Sequence, residues 1–263
     1  MSLPSLPPAI DCAIWEEGTG EPLFLIHGIG ASHATWNGIV ANLKSDFRCI
    51  TYDLRGHGIS PLPNGQFDLE ALVSDLEAVR AKLGIEKAHF AGHSLGGMIG
   101  PAYARHFPDR VKTLGLLSTA AGRTEEDSAK VQGVVAAMER DGIENILTTL
   151  VDRWYTDDFA AKNPAIVQAR LKQITGMSAD VFLNVFHIYA TTEMAPWLNE
   201  VKAPSLVLTG ENDGACNPRL NRFIESQLDD CELVILEGLK HSILMEAPDQ
   251  VAEHMRRFIT LRS

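Results

Sequence analysis

The chain has 263 residues, 45% of them hydrophobic and 22% charged, with a formal net charge of −11. That length suits one substantial α/β domain with room for an inserted subdomain, and the acidic balance without a basic stripe argues against nucleic acid as a partner. The four cysteines (Cys12, Cys49, Cys216, Cys231) form no C-x-x-C pair and no His/Cys cluster of ligand spacing. No metal is therefore expected. Residues 1–8 lack the basic segment and continuous apolar stretch of a signal peptide, and no apolar run approaches a membrane span. The expectation is a reduced, soluble, cytoplasmic protein.

Taken in chain order, residues 23–26 and 47–52 read as buried strands, with Cys49 a small core residue inside the second. Leu69, Leu72, Leu76, Val79 and Leu83 then recur at helical spacing behind a cap at Asp68. Residues 88–91 and 113–117 are further strands, separated by a helix-like stretch over 98–107. From about Gly122 to Trp197 no strand is predicted. Val131, Val134, Val135 and Met138 mark one helix there; Ile146, Leu150 and Trp154 mark a second. Ile166, Arg170 and Ile174 mark a third, and Val181, Val185, Phe186 and Tyr189 a fourth. Such a block reads as a lid over a site, with a set of surplus surface helices as the alternative. Its aromatics (Trp154, Tyr155, Phe159, Phe182, Phe186, Tyr189, Trp197) exceed what four short helices need for their own packing, so some are expected to line a pocket. Strands resume at 205–209 and 232–236, followed by a last helix after Pro248. Strands alternating with helices predict an α/β fold, a mostly parallel central sheet with helices on both faces. Residues 1–121 and 198–263 would form the core and 122–197 an inserted all-helical cap.

The strongest motif is Gly92-His93-Ser94-Leu95-Gly96-Gly97, between a strand and a helix. A serine flanked by glycines in that context is a nucleophile elbow. The turn is too tight for side chains at Gly92 and Gly96, and it presents the Ser94 hydroxyl; a surface Ser-Gly turn is the alternative. A serine needs a base, and nine histidines compete. His27, His57 and His93 shape loops or the elbow. His33, His89, His106 and His254 fall in helical or strand patterns, and His187 lies in the helical block, where it could touch substrate. His241 follows the last strand, at the same sheet edge as the elbow, and is the expected base. Asp213, on the loop after the preceding strand, is the expected carboxylate, with Glu211 the runner-up. The two oxyanion donors would be the backbone N–H of Leu95, next to the nucleophile, and of Ile29, in the loop after the strand 23–26. The glycines near His27 make no G-x-G-x-x-G fingerprint, so no organic cofactor is expected.

Together these features resemble the α/β-hydrolase fold superfamily over essentially the full length. The resemblance rests on His27-Gly28-Ile29-Gly30, Asp53-Leu54-Arg55-Gly56-His57-Gly58, the elbow, Phe107-Pro108-Asp109-Arg110-Val111, Asp213 and His241. It implies that 122–197 is the cap domain, placed between core strands six and seven. Within it, Arg153-Trp154-Tyr155-Thr156 with Phe159 and Asn163-Pro164 is similar to 3-oxoadipate enol-lactonases.

Serine at the elbow excludes the dehalogenases and epoxide hydrolases of this fold, which use aspartate there. The favoured reading is a serine hydrolase acting on a small carboxylic ester or lactone through an acyl-enzyme. A carbon–carbon hydrolase of the meta-cleavage type and a non-catalytic small-ligand receptor are the alternatives. Trp154 is expected on the pocket wall, and Arg153 or Arg123 to pair with a substrate carboxylate; cap core and solvated surface are the alternatives for these three.

Overall fold

The computed structural model describes residues 3–262. Its elements are, in order, β1 (Ile14–Glu17), β2 (Glu21–Ile26), α1 (Asn37–Leu43), β3 (Phe47–Tyr52), α2 (Leu69–Lys82), β4 (Ala88–His93), α3 (Gly96–His106) and β5 (Val111–Leu117). Five consecutive helices follow: α4 (Glu125–Asp141), α5 (Ile143–Trp154), α6 (Asp157–Lys162), α7 (Pro164–Thr175) and α8 (Ala179–Thr191). The chain then completes β6 (Ser205–Gly210), α9 (Pro218–Gln227), β7 (Cys231–Leu236), α10 (Ile243–Glu246) and α11 (Pro248–Thr260).

The seven strands form one sheet in the order β1-β3-β2-β4-β5-β6-β7, parallel except for β1, which pairs antiparallel with β3. Side chains alternate across each strand, and the core divides accordingly. Phe24, Ile26, Ile50, Phe90 and Leu116 pack on one face with α2, α3 and α9; Leu23, Leu25, Cys49, Leu117 and Leu208 pack on the other with α1 and α11. Burial pushes the Cys49 thiol up to about 12. Asp68 accepts the Ala71 N–H at 3.0 Å as the α2 cap.

The helical insertion lies between β5 and β6 of this seven-stranded sheet, not between strands six and seven as the resemblance implies. It has a small core of its own, built on Val135, Met138, Leu150, Ile174, Phe182 and Phe186. It contains five helices rather than four, because α6 has six residues and is too short to show a periodic stripe. The insertion is tied to the sheet's carboxyl edge. Ser242 N–H donates to Trp154 O at 2.9 Å, Glu246 accepts from Thr156, and Asn184 exchanges two hydrogen bonds with the backbone of Phe67. Among the described residues, no helix is long and apolar enough to cross a membrane.

Candidate active site

Ser94 occupies the turn between β4 and α3 with φ of 56°, in the left-handed region that side chains disfavour. Its N–H donates to Leu117 O at 2.8 Å, and its carbonyl accepts from Gly97 N–H and from Thr119 Oγ1, both at 2.9 Å. The turn closes only without side chains at its ends. A Cβ on Gly92 would strike the Gly96 carbonyl, and one on Gly96 would strike the Ile26 carbonyl.

Asp213, in the turn after β6, and His241, in the loop after β7, meet in a buried pair, His241 Nδ1 donating to Asp213 Oδ2 at 2.7 Å. The other carboxylate oxygen accepts from Ala215 N–H at 3.0 Å and Cys216 N–H at 2.8 Å, which fixes the rotamer. Burial works against a charged His241, but the charge and hydrogen bond of Asp213 outweigh it and hold its pKa above the ordinary histidine value. Burial likewise opposes ionisation of Asp213; His241 and the two amides outweigh it and lower its pKa. His93 Nε2 donates to His241 O at 2.9 Å, and burial followed by the His241 charge pushes His93 down to about 3, so its ring stays neutral. Glu211 takes no part in the pair; it is exposed and accepts from Gly238 N–H at 2.9 Å.

The loop after β2 lies against the elbow, where a Cβ on Gly28 would come within 2.9 Å of Ser94 Cβ. Two neutral histidines shape it. His27 bonds Gly28 O through Nδ1 and accepts Leu54 N–H through Nε2, and His57 bonds Arg55 O and accepts Gly30 N–H in the same manner. Burial lowers both pKa values, His57 to about 4. The buried Arg55–Asp75 ion pair, with contacts of 2.6 and 2.7 Å, anchors the segment that carries His57. Among the described residues, neither the Ile29 nor the Leu95 N–H has a hydrogen-bond partner. The second belongs to the N-cap residue of α3, at the helix end where the dipole favours negative charge.

Ser94 and His241 line one cavity of about 270 Å³, roofed by the helical insertion. Trp154, Tyr155, Phe186 and Tyr189 line it, whereas Phe159, Phe182 and Trp197 do not. Arg153 also lines it, from an exposed position. Arg123 lines it too, lies over the Tyr189 ring at 4.5 Å and donates to Thr192 O at 2.9 Å. His187 does not reach this cavity. It projects from the outer side of α8, half-exposed, and bonds Glu139 at 2.8 Å. Asp213, Cys216 and His241 offer three ligand atoms within 4.8 Å of one another. Those donors are already engaged, Asp213 as described and Cys216 Sγ with Tyr189 OH at 3.3 Å, so the trio does not make a free metal site.

Residues 21–248 match the α/β hydrolase fold family. The chain belongs to that family. The 3-oxoadipate enol-lactonase 2 of Acinetobacter baylyi is 28% identical over 257 residues, covering 95% of this chain and 94% of the relative. The enol-lactonase of Burkholderia xenovorans has the same fold, with a TM-score of 0.87 at 24% identity over 95% of this chain and 96% of its own. A malate-bound thermophilic esterase from Thermogutta terrifontis gives a TM-score of 0.85 at 26% identity, covering 97% and 95%.

In this hydrolase several cavity residues escape the sequence reading, and one of them reaches the β2 loop. Arg170 of α7, taken above as one step of a helical stripe, reaches the β2 loop and bonds the carbonyls of Ile29 and Gly30. The signal was available, since Arg170 is a charge at an apolar position between Ile166 and Ile174.

Proposed function

We propose that this hydrolase cleaves a small carboxylic ester or lactone through an acyl-enzyme on Ser94. The observation that carries the reading is the buried 2.7 Å His241–Asp213 pair, whose His241 lines the same cavity as Ser94, with Ser94 on a left-handed elbow. His241 takes the Ser94 proton as the hydroxyl attacks the substrate carbonyl, and Asp213 fixes the imidazole tautomer and balances its charge. The oxyanion is held by the Ile29 and Leu95 N–H groups. As the intermediate collapses, His241 returns the proton to the departing oxygen and leaves the acyl group on Ser94. Water, activated by the same base, then releases the acid.

In this reading residues 122–197 are a cap. Its aromatics exclude water from the scissile carbonyl, which strengthens the oxyanion contacts. A cavity of about 270 Å³ suits a compact substrate. Arg123 lines the cavity and supplies a guanidinium for a substrate carboxylate. The similarity to enol-lactonases and to a malate-bound esterase agrees with that chemistry.

A fluorophosphonate probe tests the reading. Wild type is expected to be labelled at Ser94 and to hydrolyse p-nitrophenyl acetate, while Ser94→Ala folds, is not labelled and loses nearly all turnover. Labelling at another serine overturns the assignment. An enol-lactone and a meta-cleavage dienone assayed side by side separate ester cleavage from carbon–carbon cleavage, and the lactone is expected to be turned over.

A further inference from the structure

The β2 loop has an unusual hydrogen-bond inventory. Gly28 O accepts from His27 Nδ1 at 2.8 Å and from Ala31 N–H at 3.2 Å. Gly30 N–H is taken by His57 Nε2 at 3.1 Å. The two remaining carbonyls, Ile29 O and Gly30 O, are both taken by Arg170, the first at 2.7 Å through Nη2 and the second through Nη1. From Gly28 to Gly30, two backbone polar groups have no partner among the described residues: the Gly28 N–H and the Ile29 N–H.

Arg170 belongs to the insertion, 141 residues from Ile29 in sequence. Its other contacts are Gln173 Oε1 at 3.2 Å and the Trp154 ring at 5.2 Å, and among the described residues no carboxylate pairs with it. Burial pulls it down to about 10, which leaves it charged at neutral pH. Desolvating a guanidinium against carbonyls alone is a poor route to stability, because no opposite charge offsets the lost hydration. The same turn is backed by Phe182 of α8, whose ring would meet a Cβ on Gly30 at 2.8 Å. The insertion therefore grips this loop from two helices.

We infer that Arg170 is a positioning residue that holds the turn following the Ile29 N–H in register for the oxyanion, so that the helical insertion completes a site otherwise built by the core. This rests on the serine-hydrolase reading above. The Ile29 N–H shares its peptide with Gly28 O, which accepts from Ala31 N–H, and Ala31 N–H shares its peptide with Gly30 O. By clamping Ile29 O and Gly30 O with one rigid fork, Arg170 fixes the two following peptides and, through the Ala31 bond, the plane that carries the Ile29 N–H. Its charge also adds a favourable field where negative charge develops. Substrate loading and oxyanion assembly are then linked, since a displaced insertion releases both carbonyls together.

The experiment compares wild type, Arg170→Met and Arg170→Lys for kcat and KM on p-nitrophenyl acetate, for inhibition by phenylboronic acid and for Tm. The boronate forms a tetrahedral adduct with serine and so reports the oxyanion site without turnover. Arg170→Met is expected to lower kcat and weaken boronate inhibition by about a hundredfold, the scale of an ångström-level misplacement, with KM little changed. Arg170→Lys, with one compact charge for two carbonyls, should recover part of both losses. A lower Tm with wild-type kcat and boronate affinity would overturn the inference by leaving Arg170 a purely structural role. If Arg170→Met does not fold, wild-type kcat in Arg170→Lys overturns it equally. Wild type that neither turns over the ester nor binds boronate would instead sink the serine-hydrolase reading.

Discussion

Asp213→Asn is the substitution whose consequence follows most directly from the hydrogen-bond geometry. Asp213 Oδ1 accepts two backbone N–H groups, from Ala215 and Cys216, and Oδ2 accepts from His241 Nδ1 at 2.7 Å. The two backbone donors demand an oxygen, so the asparagine carbonyl must take the Oδ1 place. That puts the amide NH₂ against His241 Nδ1. Two donors cannot bond each other, so the imidazole carries its proton on Nε2 instead and offers Ser94 a donor where a base is needed. In serine proteases the equivalent change costs about 10⁴ in kcat, or about 5 kcal/mol of barrier.

The same substitution has a pH signature. A base acts when neutral, so activity rises through the pKa of His241, and Asp213 holds that pKa above the ordinary histidine value. The wild-type limb should therefore lie on the alkaline side of that value. In Asp213→Asn burial acts without the opposing charge, and the limb of the residual activity should move down. Steady-state hydrolysis of p-nitrophenyl acetate across and above the histidine range measures both effects. Most activity surviving in Asp213→Asn, with Glu211→Gln inactive, would refute the assignment. A limb that moved up on losing Asp213 would refute the electrostatic argument by itself.

Two further outcomes concern the cavity wall. Arg123→Met should raise KM about 10- to 100-fold for an aryl hemisuccinate, the worth of a charge-assisted hydrogen bond, and leave an aryl butyrate unaffected; equal effects on both esters would remove Arg123 from carboxylate binding. Trp154→Ala should raise KM and alter preference among acyl groups with Tm nearly kept. A large fall in Tm with unchanged selectivity would make Trp154 a packing residue.

The features legible in the sequence are those whose physics is local or follows from chain order. The elbow is readable because backbone contacts at Gly92 and Gly96 leave no room for a Cβ. The partnership of Asp213 and His241 is readable because consecutive parallel strands deliver their following loops to one sheet edge. β1 is not readable in this way. It has four residues, Ile14–Glu17, two exposed and two half-buried, and its strand character comes from pairing with β3 rather than from an apolar run. His187 shows a legible feature misread. The apolar residues of α8, Val181, Phe182, Val185, Phe186 and Tyr189, define a buried face, and position 187 falls off it, towards Glu139 and solvent.

Arg170 marks where such reading ends. Its helical stripe places it on the inner side of the insertion, and an arginine among isoleucines signals a polar partner there. That the partner is a pair of carbonyls 140 and 141 residues away depends on how α7 docks over the β2 loop. No local pattern encodes that docking, because it is decided by the packing of Phe182 and Ile174 against the Gly30 turn. The core alone carries Ser94, His241 and Asp213, the three residues that the proposed mechanism uses as nucleophile, base and acid. Ile29 O and Gly30 O of the loop beside Ser94 take their hydrogen bonds from the insertion, so under the inference above the helices that roof the cavity also finish the site.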